Sequence, residues 1–243
     1  MEQLTTKLFK LHNISMDSAL KSIEQMSKTD GLDIIVTPNM DHLERLINKN
    51  TPKEFKQLYQ NASLCLCDSK ILEKLLKLKG KLVREVIPGS TLTKKLFNHV
   101  ITNNDQIMII GGEDRVMNKL RSQYKHLTIN HYNPPMGFIN NPVEVTKTIE
   151  KIQRFDANYI FLAVGSPRQE IVASKLKALA DQKGVALCIG ASVLFITGEE
   201  KRAPRWLQLA HLEWLYRMLQ DPKRLFPRYF NNFLKIPSIY KSL

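Results

Sequence analysis

Acidic side chains are in short supply in this chain. It carries 23 Asp and Glu against 36 Lys and Arg, a formal net charge of +13. That balance favours polyanionic partners, whether nucleic acid, anionic lipid or phosphorylated substrate, although a merely basic soluble protein has the same charge. Cysteine is nearly absent: Cys65, Cys67 and Cys188 are all there is, an odd and sparse set that excludes a disulfide framework and fits a reducing compartment. Cys65 and Cys67 are one residue apart in an apolar run, so they share one face of a strand and read as core thiols. Neither they nor the scattered histidines fall at a zinc spacing, and no metal site is expected. No run of about 18 apolar residues occurs, so no bilayer span is expected and any membrane contact would be peripheral. Met1 to Ser15 lacks the charged-then-apolar order of a secretory signal. Both G-x-G-x-x-G and G-x-x-x-x-G-K are missing, which argues against a dinucleotide-dependent dehydrogenase and a P-loop NTPase.

What is present is an alternation. Short apolar runs at Asp33–Val36, Leu64–Cys67, Gln106–Ile110, His126–Asn130, Asn158–Val164 and Val185–Ile189 predict strands. Helical patterns follow several of them, at Asp41–Ile47, Val116–Tyr124 and Gln169–Lys183. Strands alternating with helices predict an α/β fold, a mostly parallel sheet with helices on both faces. Near-continuous apolar runs fit strands buried on both sides.

Five of these strands end in polar or glycine-containing turns: Thr37 and Asn39, Asp68, Gly111 and Gly112, Gly165 to Gln169, and Gly190. A parallel sheet gathers such turns at one edge, where ligands of open α/β sheets bind. Helix starts after Gly112 and Pro167 would present backbone N–H groups to a phosphate, and Gln169 and Glu170 would stand near the second rim, facing the site. Asp68, held at a strand end, has the placement of a general base, but turn and helix-capping aspartates are also common there. The segment at Gly165 is not a nucleophile elbow, because Arg168 stands where G-x-S-x-G requires glycine.

Composition shifts after Gly198, so residues 1–198 read as the core and 199–243 as an appendage. Pro204 can open a helix over Arg205–Leu219. From Trp214 onward six Lys and Arg accompany a single acid, Asp221, and Trp214, Tyr216, Phe226, Tyr229, Phe230 and Phe233 interleave with the cations. An interfacial membrane segment, a nucleic-acid surface and a packed helix with a basic face all produce this pattern.

Several segments in order resemble the WecG/TagA/CpsF glycosyltransferases. They are Val36–Leu43, Tyr132–Phe138, Ala163–Glu170, Lys201–Trp206, Leu212–Arg217 and Asp221–Leu225, within a likeness running from about Ile35 to Tyr229. The resemblance implies a Rossmann-like core and an inverting transferase that needs neither metal nor cofactor. It implies a UDP-sugar donor, an acceptor sugar on a polyprenyl diphosphate, and a cytoplasmic location on the inner face of the membrane. Thr37 and Asn39 would line the sugar and nucleotide site, Asp68 would be the base, and Gln169 would hold donor or acceptor. Arg217, Arg224 and Arg228 would close over the site against the leaving diphosphate, with the appendage resting on anionic lipid. Apolar helical surface such as Trp206–Leu219 needs covering by the core, by a partner subunit in a homo-oligomer or by lipid, and nucleic acid is not an expected partner. The chain departs from the family pattern at Ser69, where many members have glycine, and at Leu194, where many have an acid. A basic nucleic-acid-binding protein and an inactive membrane-bound scaffold are the rival readings.

Overall fold

The computed structural model describes residues 2–200, 203, 204, 207 and 213–243, with the side chains of Glu213, Trp214, Arg217 and Arg224 outside the described part. Six strands form one sheet: β3 (Leu32–Val36), β4 (Leu64–Cys65), β5 (Gln106–Ile110), β6 (Thr128–Tyr132), β7 (Tyr159–Leu162) and β8 (Gly184–Cys188). Their order is β4-β3-β8-β7-β5-β6, and every neighbouring pair is parallel. The expected sheet is therefore present, and it is wholly parallel.

Two layers of helix cover it. On one face lie α2 (Met40–Ile47), α3 (Lys53–Asn61), α4 (Lys70–Leu78), α7 (Pro142–Gln153) and α8 (Arg168–Lys177). On the other lie α1 (Met16–Met26), α5 (Gly89–His99), α6 (Asp114–Gln123) and α9 (Ser192–Thr197). Alternate residues of each strand feed the two cores: Ile34 and Val36 face the first, Ile35 the second. Cys65, Cys67 and Cys188 are buried free thiols in the first core. Burial pushes the Cys67 thiol up to about 12, so it stays protonated and inert.

The sequence reading missed a hairpin of β1 (Gln3–Thr5) and β2 (Lys10–His12), and the helices α1, α3, α5, α7 and α9. Three-residue strands are too short to show alternation. The hairpin has a clear task. Strand β4 is an edge of the sheet, and His12 Nδ1 accepts the outward Cys65 N–H at 3.0 Å. An otherwise open edge is thereby closed to further pairing. Helix α8 ends at Lys177, sooner than expected.

Beyond the core come α10 (Glu213–Gln220) and α11 (Pro222–Ser242). The first part of the expected Arg205–Leu219 helix lies outside the described residues. Helix α11 runs along α2, and its end is anchored in the first core by Ile239 and Leu243. Lys81 Nζ donates to the Leu243 carbonyl at 2.8 Å, and Lys79 lies 4.4 Å above the Tyr240 ring. Its middle turns present Phe226, Phe230 and Phe233 outward, 57%, 52% and 68% exposed. Among the described residues no helix is long and apolar enough to cross a membrane.

Candidate active site

Parallel pairing brings all five expected turns to one edge of the sheet. Around the ends of β3 and β4 the chain is tightly cross-tied. Asp68 N–H donates to the Pro38 carbonyl at 3.3 Å, and Ile87 N–H to the Cys67 carbonyl at 2.7 Å. The Asp68 carboxylate is then gripped from two sides. Oδ1 accepts the Gly89 N–H at 2.8 Å, and Oδ2 accepts Asn39 Nδ2 at 3.1 Å. Gly89 opens α5, so the carboxylate lies at a helix N-terminus, where negative charge is favoured. A side chain at Gly89 would bring its Cβ 2.8 Å from Thr37 Oγ1 and push that hydroxyl aside, so glycine lets the helix start come this close without moving it.

Asn39 has two tasks. Its Oδ1 accepts the Asp41 N–H at 3.1 Å and caps α2, while its Nδ2 reaches Asp68. Its own N–H donates to His42 Nδ1 at 3.1 Å, completing a capping box. Ser69, a departure from the family pattern, caps α4 by accepting the Leu72 N–H at 3.2 Å. Leu194 packs its side chain against the second core.

Asp68, Asn39, Asp41, Ser69 and Lys70 form one side of a cavity of about 640 Å³. The other walls are mostly apolar: Ile71, Val86 and Pro88 from the core, and Met218, Phe226, Tyr229, Phe230, Phe233 and Ile236 from α10 and α11. Arg228 reaches into it from α11 and pairs with Asp41, which also accepts from Asn232. Burial pulls the Arg228 guanidinium down from its usual range. The appendage thus supplies half of the pocket that holds Asp68. Arg217 and Arg224 sit on the backbones of α10 and α11, with side chains outside the described part.

The sequence reading sets Gln169 and Glu170 at the rim facing the site. The structure instead buries them, 2% and 0% exposed, because the first turn of α8 packs inward. Gln169 donates from Nε2 to Glu170 Oε1 at 3.0 Å and accepts the Gly190 N–H at 2.8 Å. Glu170 Oε1 also accepts from Tyr59 O–H at 3.0 Å, and His42 Nε2 stands 3.6 Å away. Desolvation lowers His42 from its ordinary range and raises the Tyr59 phenol well above its own. Both are therefore neutral near pH 7.

Gly111 and Gly112 lie where β5 and β7 part, their chains leading to opposite sides of the sheet. At Gly111 (φ 93°) a Cβ would fall 2.7 Å from Val164 Cγ1 and 3.0 Å from the Ala163 carbonyl. The glycine lets two strand ends meet. Gly165 (φ 74°) makes the turn into α8, and its carbonyl accepts the Gln169 N–H at 3.0 Å. The start of α6 is a poorer phosphate site than expected, because Glu113 and Asp114 already occupy its positive end.

His42, Asp41, Tyr59, Gly89 and Asn232 escaped the sequence reading. His42 had a usable signal, since it stands three residues after an Asn at a helix start. Asp41 adjoins Asn39 in the chain, but its partner Asn232, like Tyr59 and Gly89, meets the site only across 20 residues or more.

A model of the glycosyl transferase WecG/TagA/CpsF family matches residues 6–242. A Bacillus spizizenii protein named N-acetylglucosaminyldiphosphoundecaprenol N-acetyl-beta-D-mannosaminyltransferase is 27% identical over 235 residues, 90% of this chain and 88% of its own length. A Staphylococcus aureus (strain MW2) protein of the same name is 26% identical over 220 residues, 87% of this chain and 81% of its own.

Proposed function

The chain belongs to the glycosyl transferase WecG/TagA/CpsF family, and we propose that it transfers a hexosyl or N-acetylhexosaminyl group from a UDP-sugar to a saccharide carried on a polyprenyl diphosphate. One observation carries the reading. A carboxylate fixed by two donors opens into a cavity whose far wall is an apolar, cation-bearing helix. A sugar hydroxyl at Asp68 would thus adjoin a surface suited to a lipid tail. The relatives' names, which specify a diphosphoundecaprenol acceptor, support the same acceptor class here.

The reaction in this reading is a single displacement. Gly89 N–H and Asn39 Nδ2 hold the Asp68 carboxylate at the cavity wall, in place for an acceptor hydroxyl. Asp68 takes the proton of the acceptor hydroxyl, and that oxygen bonds to the anomeric carbon. The bond from that carbon to the diphosphate oxygen breaks on the opposite face, UDP leaves with the electron pair, and configuration inverts. Charge grows on the diphosphate as it leaves. Arg228, with Arg217 and Arg224 from the same appendage, would meet that charge without a divalent ion. Phe226, Phe230 and Phe233 would enter the headgroup boundary of an anionic membrane on its inner face.

The test is UDP release from a panel of UDP-sugars, with and without a polyprenyl-diphosphate-linked acceptor and with and without EDTA. Acceptor-dependent release that survives EDTA and is lost in Asp68→Asn is the expected result. Wild-type protein that releases UDP from no donor with any acceptor would overturn the reading.

A further inference from the structure

The polar cluster buried under Asp68 takes no part in the transfer step, yet it is costly to keep. Burying an ionisable side chain costs free energy that its hydrogen bonds have to offset. Glu170 Oε1 receives Tyr59 and Gln169, while Oε2 is buried with no partner among the described residues.

The cluster leads to Asp68 through one amide. Asn39 Oδ1 accepts from Asp41 N–H, which leaves Nδ2 for Asp68. Turning that amide over would set two donors together at Asp41 and two acceptors together at Asp68. His42 locks the backbone beneath it. Because Nδ1 accepts the Asn39 N–H, the ring proton must reside on Nε2, and Nε2 faces Glu170. A doubly protonated ring would set N–H against N–H at Asn39. The Asn39 N–H thus selects the tautomer whose Nε2 proton faces the carboxylate 3.6 Å away, the ring holds the cap, and the cap aims the amide.

We propose that His42 and Glu170 are positioning residues of the transferase, holding Asn39 in the orientation that fixes Asp68. The inference rests on Asp68 being the base. The experiment compares His42→Ala, His42→Gln, Glu170→Gln and Asn39→Ser with the wild type. Glutamine at 42 keeps an acceptor for the Asn39 N–H and a donor for Glu170. Serine at 39 keeps the helix cap but has no donor for Asp68.

Two readouts are taken: steady-state kinetics, and the ¹³C carboxyl resonance of Asp68 in aspartate-labelled protein, assigned through Asp68→Asn. In His42→Ala kcat should fall roughly ten- to hundredfold with both KM values within about threefold, as expected when a reacting group is misplaced. The Asp68 resonance should move towards its position in Asn39→Ser. His42→Gln should restore both. If His42→Ala does not fold, Glu170→Gln reads the same link and should shift the resonance in the same direction. Folded His42→Ala and Glu170→Gln proteins with an unmoved Asp68 resonance would overturn the proposal, whatever their activity. A wild type without turnover would overturn the transferase reading alone, and the resonance would still decide the positioning role.

Discussion

Replacing Asp68 by asparagine removes more than a base. Gly89 N–H and Asn39 Nδ2 both point donors at the carboxylate, 2.8 and 3.1 Å away. An asparagine offers one acceptor and one donor, so its NH₂ must face one of them. If it faces Asn39, that amide cannot turn to help, because its oxygen is committed to Asp41 N–H. One donor–donor contact therefore persists at a half-buried site, at a cost of about 1–2 kcal/mol. For a chain of this size that is a fall of roughly 2–8 °C in melting temperature. Adding Asn39→Asp reverses the polarity. Aspartate at 39 still caps α2 and now accepts from the asparagine at 68, whose oxygen accepts from Gly89. The double variant should melt close to the wild type. Transfer should stay down by roughly 10²–10⁴ in both, since the carboxylate is no longer where the acceptor hydroxyl meets it. Thermal melts and UDP release on the wild type, both single variants and the double form the cycle. Additive losses of stability would refute the hydrogen-bond assignment, and recovery of activity in the double variant would refute the base.

Acidification should weaken the fold. Burial holds His12, His42 and His131 below their ordinary 6.5. As pH falls below 6.5 the unfolded chain takes protons that the folded chain refuses. Stability therefore drops, by at most about 1.4 kcal/mol per pH unit for each histidine, and denaturant midpoints should show a shallower slope in His42→Gln. Phe226→Ser, Phe230→Ser and Phe233→Ser together should weaken binding to anionic vesicles. Each lost insertion is worth about 1.5 kcal/mol, or roughly tenfold, and sedimentation with unchanged affinity would exclude this face. Gly111→Ala should destabilise by about 2 kcal/mol or more, because the residue has positive φ and its new methyl meets the Ala163 backbone. A melt within 2 °C of the wild type would contradict it.

Much of the fold was legible before any coordinates. Five of the six sheet strands were marked by apolar runs, since strands buried on both faces need no polar side, while β6, at the sheet edge, is largely polar. Asp68, Thr37 and Asn39 could be placed at one edge because parallel pairing sends every strand end the same way. Helix α5 was not legible, although its first N–H is what grips Asp68, because its start carries no capping side chain.

Chemical types and their place along each strand are thus properties of the chain itself, because side-chain period and turn residues act locally. Which groups meet is another matter. Asp41 bonds Asn232 across 191 residues, Tyr59 bonds Glu170 across 111, and Gly89 bonds Asp68 across 21. No local pattern encodes such partners, since a hydrogen bond is chosen by whatever packing brings within about 3 Å. Packing also decided that Gln169 and Glu170 lie under the site rather than at its rim. The inward face of a helix is set by what it packs against, and for α8 the sequence showed only a weak stripe.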